Sequence, residues 1–379
     1  NIEDISAEGA PCFWRIIRCG ATINSPLPQW GSRSEEQQFF LLGWNVTAEK
    51  LQQKISNSLG SRLLNRNQAV TIICFNSLSY EERTKYLAYC KTLNFSALLI
   101  DSNLYNWLSS QDNKVESLFG ATLAGSVCNP YTPNVAGAVP PEMFFGRENF
   151  ISELKKPDGP CIVYGGRQLG KTALLLQIVG RKDPELMVCH FTMPSITSSL
   201  FDVLINELHK CGLKNVNRKN FERSIISYLE ENPKKRILVL ADECDQVLEA
   251  DCERGCDEVR KLSTIMQETN RRFKIVLTGL HSVQRFNHVS NVPFIHYGTS
   301  ICVGPLSPNE ARDLLVEPLN WLGLDFEDKS LPLMAINHCN YHPKVIQMLG
   351  EELLKVVMSQ YSRKQPFFTI TKQILISVL

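Results

Sequence analysis

Apolar residues in the middle of the chain come in short, nearly unbroken runs: CIVYG, ELMVCHFTM, RILVLADE, FKIVLTGL and SICVGPL. Runs of this length bounded by turn residues read as strands buried on both faces. Between them the apolar positions recur at helical spacing, which predicts helices at GRENFISELKK, KTALLLQIVGR, 197–212, 218–231 and 254–269. Strict strand–helix alternation predicts an α/β fold, a doubly wound parallel sheet of five core strands.

The flanking regions differ. Residues 1–127 carry apolar runs at CFWRIIRCGA, AVTIICFN and FSALLID with helical stretches between them, such as SYEERTKYLAYCKTL, which opens on a serine followed by glutamates. This predicts an N-terminal α/β accessory domain with parallel pairing and without a glycine-rich loop. Residues 128–143 are rich in proline and read as an extended linker. The core then covers 144–305, and helices over 306–362 predict a helical lid. The stretch PFFTITKQILISVL, in 363–379, reads as the start of a further, truncated domain, so the sequence is expected to be a piece of a longer protein.

Composition adds limits. A chain of 379 residues with 44% hydrophobic and 21% charged positions has the make-up of a globular protein. Forty basic against thirty-nine acidic residues leave a net charge of +1, so no overall field draws the chain to nucleic acid or membrane. The sequence has neither a run long enough to span a bilayer nor a signal-peptide pattern. Many of its thirteen cysteines sit in apolar runs and read as buried thiols, so the expected compartment is cytoplasmic.

One stretch carries chemistry directly. Gly165-Gly166-Arg167-Gln168-Leu169-Gly170-Lys171-Thr172 follows an apolar strand and opens an Ala/Leu-rich helix through Ala173. Its glycines allow successive N–H groups to turn inward, where they and the helix N-terminus bind phosphate. Lys171 is expected to reach the β- and γ-phosphates, and the Thr172 hydroxyl to hold magnesium. A partner element appears in RILVLADECD, where Asp242 and Glu243 close a buried strand. Asp242 is expected to hold the metal through water, and Glu243 to deprotonate the attacking water. On the next predicted strand, Thr278 is expected to sense the γ-phosphate or to position the water, with His281 following on the loop. Asp245 and Glu249 read as solvent-facing or capping acids.

These motifs resemble the P-loop ATPases of the additional-strand, catalytic-glutamate class, and within it the STAND branch related to AAA+ proteins. The likeness spans 140–360 and includes EMFFGRENFISEL and NYHPKVIQMLGEELL. It implies that Phe144, Phe145 and Gly146 contact adenine, that Arg147 approaches the phosphates, and that Pro343 packs on the base. It also implies ATP/ADP and Mg2+ as cofactors, slow ATP hydrolysis, and a switch in which nucleotide between core and lid controls self-association. The resemblance is strongest to large bacterial ATPases, many of them acting in defence against phage. A homo-oligomer in the ATP state, and a protein or nucleic-acid ligand bound through further domains, are the partners it implies; no membrane is expected. Where several STAND branches carry an arginine on the sensor strand, this chain has Thr278-Gly279-Leu280.

Two other readings stand beside the switch: a DNA-handling AAA+ ATPase of the origin-recognition, loader or transposition-regulator kind, and a nucleotide-binding scaffold without turnover. Arg271 and Arg272 read either as a finger for a neighbouring subunit or as cations at a helix C-terminus. Asp101, at the end of FSALLID, is a strand-end carboxylate to which no catalysis is assigned.

Overall fold

A computed structural model describes residues 2–4, 12–18, 27, 30, 36–42, 69–79, 81–83, 85–86, 96–122, 129–131, 133, 139–181, 183–194, 199–280, 300–360 and 368–379. By contact the chain divides into two units: residues 1–135, 140–145 and 307–379 in one, 136–139 and 146–306 in the other. No helix among the described residues is long and apolar enough to cross a membrane.

The chain begins with strands β1 (Ile2–Asp4), β2 (Cys12–Arg18), β3 (Glu36–Leu42), β4 (Ala69–Cys74) and β5 (Ser96–Ile100), which form a sheet in that order. The expected parallel pairing holds only from β3 to β5, because β1–β2 and β2–β3 are antiparallel. Residues 5–11 are too few for the crossover of about a dozen that a parallel β1–β2 pair needs. The serine-led helix start is present: Ser79 and Glu82 exchange side-chain bonds to each other's backbone N–H, at 2.8 and 3.2 Å. After β5, Asp101 caps α1 (Ser102–Ser109), and α2 (Lys114–Thr122) follows.

The second unit holds α3 (Glu148–Lys155), β6 (Ile162–Tyr164), α4 (Lys171–Gly180), β7 (Leu186–Thr192), α5 (Leu200–Lys210) and α6 (Phe221–Glu231). Then come β8 (Arg236–Asp242), α7 (Asp245–Glu253), α8 (Asp257–Glu268), β9 (Phe273–Gly279) and β10 (Ile301–Cys302). Its sheet is parallel throughout, in the order β10-β6-β9-β8-β7. This is the five-stranded doubly wound arrangement expected from the alternation of strands and helices. It sets the carboxyl ends of β6, β9 and β8 side by side, the edge at which such sheets bind ligands.

Side chains alternate across each strand. Cys189, Phe191, Ile237, Val239, Ala241, Phe273, Ile275 and Leu277 pack into one buried cluster with Leu204, Leu208, Ile225, Leu229, Leu262 and Met266 from the helices. Each large apolar side chain so buried stabilises the fold by about 1.5–3 kcal/mol. The even-numbered residues Lys274, Thr278 and Asp242 are thereby turned to the opposite face. The helix expected at 254–269 is α8, and a further helix that was not expected, α7, precedes it; the two are separated where Gly255 and Cys256 take left-handed φ of 95° and 58°.

The C-terminal segment runs α9 (Pro308–Trp321), β11 (Leu324–Phe326), α10 (Ser330–His338), α11 (Pro343–Gln360), β12 (Phe368–Ile370) and α12 (Lys372–Val378). Ser307 and Glu310 form a capping box at the start of α9, with Pro308 in its first turn. β12 pairs in parallel with β11, and Glu327 accepts the Lys372 N–H at 2.6 Å, so residues 368–379 are fastened to this helical segment. The proline-rich stretch is also anchored. Tyr131 is buried, its hydroxyl donates to the Leu315 carbonyl at 2.6 Å, and Asn129 donates to Glu351 at 3.1 Å. A Cβ on Gly350 would stand 2.5 Å from the Tyr131 ring, so the close approach of ring and helix requires glycine there.

Candidate functional site

The glycine-rich loop joins β6 to α4. Gly170 takes a left-handed φ of 93° and Gln168 one of 59°, a pair of turns that folds the loop back on itself before the helix starts. A Cβ on Gly165 would meet the Val303 carbonyl oxygen at 2.3 Å, so the loop also lies against the chain following β10. Arg167 and Gln168 are exposed, Gly166 and Leu169 half-buried, and Ala173 lies half-buried in the first turn of α4.

Lys171 is half-buried, and its ammonium donates to the carbonyls of Gly165 at 2.9 Å and Gly166 at 2.8 Å. Burial lowers its pKa, while Asp242, Asp245 and Glu243 pull the other way. The lysine therefore sits inside an acidic strand edge with its charge spent on loop carbonyls.

Asp242 ends β8 with 1% of its surface exposed. One carboxylate oxygen accepts the Thr172 hydroxyl at 2.6 Å; the other accepts the buried Thr278 hydroxyl and the Glu243 N–H, the latter at 3.0 Å. Loop, β8 and β9 thus meet at one carboxylate. The γ-phosphate sensing expected of Thr278 meets a competing contact, since its hydroxyl is engaged with Asp242. Glu243 is exposed and has a left-handed φ of 56°. A non-glycine residue held there costs about 1–2 kcal/mol.

Sequence reasoning missed one acid. Asp245 is not a plain solvent-facing residue: both carboxylate oxygens lie 2.9 Å from the Leu280 N–H, so α7 is tied to the end of β9. Residues 281–299, including His281, lie outside the described residues. The basic pair is also resolved in part. Arg272 donates to the Leu229 carbonyl at 2.6 Å, capping the C-terminus of α6, and it precedes β9 at the sheet edge opposite Asp242.

The GRE stretch begins with two left-handed residues, Gly146 (φ 76°) and Arg147 (φ 64°), which turn the chain into α3. The Arg147 guanidinium donates to the Leu169 carbonyl and, at 2.8 Å, to the Gly304 carbonyl. It holds the loop by its backbone. Phe144 and Phe145 are half-buried and belong, with Pro343, to the other contact unit; Pro343 opens α11.

Among the described residues no group of three or more His, Cys, Asp or Glu is gathered as a metal site. A hydroxyl and one carboxylate, Thr172 and Asp242, nonetheless suit magnesium. That cation keeps several waters and takes phosphate oxygens as ligands, so it needs few donors from the chain. The described cysteines are free; Cys302 is exposed, contrary to the burial expected from SICVGPL, because β10 is a two-residue edge strand.

No protein-family model matches the chain, and no curated protein does. Solved structures resemble part of it. The Aeropyrum pernix Orc1 protein in complex with DNA shares 14% identity over 63% of this chain and 67% of that one, with a TM-score of 0.39. Domain III of the Thermotoga maritima replication initiation protein DnaA shares 16% over 63% and 94%, at 0.38. The Thermotoga maritima RuvB Holliday junction branch migration motor shares 14% over 62% and 69%, at 0.35.

Proposed function

We propose that the chain binds ATP at this strand edge and hydrolyses it slowly, as a nucleotide-dependent switch. The observation that carries the reading is the convergence on Asp242: Thr172 from the loop helix and Thr278 from β9 bind one buried carboxylate, beside a lysine already folded into the loop.

On binding, Lys171 exchanges the Gly165 and Gly166 carbonyls for β- and γ-phosphate oxygens. The N–H groups of the loop and of the first turn of α4 complete the cradle. Thr172 and Asp242 are the residues that would hold magnesium, which would supply positive charge against that of the phosphates. Thr278 fixes the rotamer of Asp242. Glu243 accepts the proton of the attacking water, a contribution of about 10²–10⁴ in rate. With the Thr278 hydroxyl committed to Asp242, Glu243 has no second side chain from this set to help orient the water, which favours slow turnover.

The test is ATP affinity in Lys171→Ala. The expected fall is at least about tenfold, the worth of a charge-assisted hydrogen bond. Unchanged affinity would overturn the reading. The switch itself predicts that the chain self-associates with ATP and not with ADP, measured by sedimentation. Duplex-DNA binding with a steep salt dependence, and no nucleotide-dependent assembly, would replace the switch with a DNA-handling role.

A further inference from the structure

β9 reads Phe-Lys-Ile-Val-Leu-Thr-Gly and is buried along its whole length, so Lys274 is a lysine inside a core strand, 3% exposed. Its ammonium donates to the carbonyls of Leu154 at 3.0 Å and Lys156 at 2.6 Å. From the start of β8, Arg236 donates to the Lys155 carbonyl at 2.9 Å. Three successive carbonyls at the C-terminus of α3 are therefore held by two cations of the sheet, where the helix dipole favours positive charge. A Cβ on Gly159 would lie 1.9 Å from the Glu153 carbonyl and 3.0 Å from the Lys274 ammonium, so the chain closes tightly over this contact.

The other end of α3 is fastened too. Arg147, immediately before it, binds the Leu169 and Gly304 carbonyls, and Arg181 at the end of α4 pairs with both oxygens of Glu148 at 2.5 and 2.6 Å. Ile151 and Leu154 bury the face between. α3 is thus a short strut from the start of β9 to the phosphate loop. At its loop end the leverage is direct. A trans peptide is planar, with C=O and N–H pointing opposite ways. Holding the Leu169 carbonyl toward Arg147 therefore aims the Gly170 N–H away from that arginine.

We propose that Lys274 is a positioning residue for the phosphate loop, acting through α3 and Arg147 on the orientation of the Leu169–Gly170 peptide. The proposal rests on the ATP reading above for its functional consequence. An apolar residue at 274 would fill a buried strand without any ionic group; the lysine makes the strand hold the helix end by its carbonyls. Burial brings the Lys274 ammonium down to about 8, with Cys161 and Asp158 opposing this and Arg271 and Arg236 adding to it.

The experiment compares the full chain with Lys274→Met, Arg147→Ala and the double variant, by affinity for Mg·ATP and by amide hydrogen exchange of the 165–172 segment without nucleotide. Lys274→Met is expected to weaken ATP about three- to thirtyfold, the range of coupling carried through packed elements, and to speed exchange in 165–172. Added to Arg147→Ala, it is expected to change affinity less than about twofold, since both act on one peptide. Folded Lys274→Met with wild-type affinity and exchange, or two effects that simply multiply, would overturn the proposal. If Lys274→Met does not fold, Arg236→Met releases the neighbouring carbonyl; faster loop exchange supports the strut and unchanged exchange overturns it. Should the wild-type chain fail to bind ATP, the functional reading falls while the exchange comparison still decides the strut.

Discussion

Two aspartates end buried parallel strands in this chain and meet opposite fates. Asp101 follows β5 and Asp242 closes β8; both are almost wholly buried, at 2% and 1% exposure. Asp101 accepts the Leu104 N–H at 2.9 Å and the Leu78 N–H at 3.1 Å, and it pairs with Arg83 at 2.9 Å. Its partners are backbone groups and a fixed guanidinium, so it staples the ends of two strands. Asp242 takes two threonine hydroxyls and one N–H beside a glycine-rich loop and a lysine. The Thr172 hydroxyl can turn to another partner, and a lysine held by loop carbonyls can be drawn to a phosphate. A strand-end acid becomes a site when its partners can exchange, and a staple when they cannot.

The largest effect that sharpens the contrast is expected in Asp242→Asn. ATP turnover should fall by about 100-fold or more, with the thermal midpoint little altered, as seen by paired ATPase assay and calorimetry. Asp101→Asn is expected to do the reverse, leaving turnover unchanged while costing about 1–3 kcal/mol in denaturant titration. That cost has a pH signature. Burial pushes the Asp101 carboxyl up, but the Leu104 and Leu78 N–H bonds and Arg83 outweigh it and hold it below the ordinary value. Its stabilisation is therefore present at neutral pH and fades as pH falls through the depressed folded value, so wild type and Asp101→Asn should converge in acid. An Asp101→Asn chain that lost ATPase activity while folded would break the comparison.

A smaller effect is expected at Lys274. Its ammonium titrates near 8 when folded against an ordinary 10.5. Between those values the unfolded chain binds more protons than the folded one. The stability of wild type relative to Lys274→Met should consequently rise as pH goes from 8 to 10, read as a growing difference in urea midpoints. A flat difference would place the lysine in contact with water.

Much of this contrast was legible beforehand. The glycine spacing ahead of Lys171 and the acid pair after ILVLA stand in contiguous sequence, so local pattern suffices to propose their chemistry. The five core strands were legible because burial on both faces leaves unbroken apolar runs. β3 was not, since Glu36, Gln37 and Gln38 open it with polar residues. Asp245 eluded the reading because its partner, the Leu280 N–H, is distant in the chain; Arg272 was read as a cation at a helix C-terminus, but the helix it serves, through the Leu229 carbonyl, is equally distant. Arg147 was expected at the phosphates; its grip on backbone carbonyls is a tertiary contact with no local signal. Lys274 did leave a trace: a lysine in FKIVLTGL breaks an otherwise apolar core strand, and that anomaly alone marks it.

The most direct measurement is ATP turnover by Glu243→Gln, taken together with its ATP affinity. With Lys171, Thr172 and Asp242 intact, affinity should stay within about threefold of wild type, while turnover falls about 10²–10⁴-fold because the proton acceptor is gone. Equal turnover in the two proteins would contradict the account.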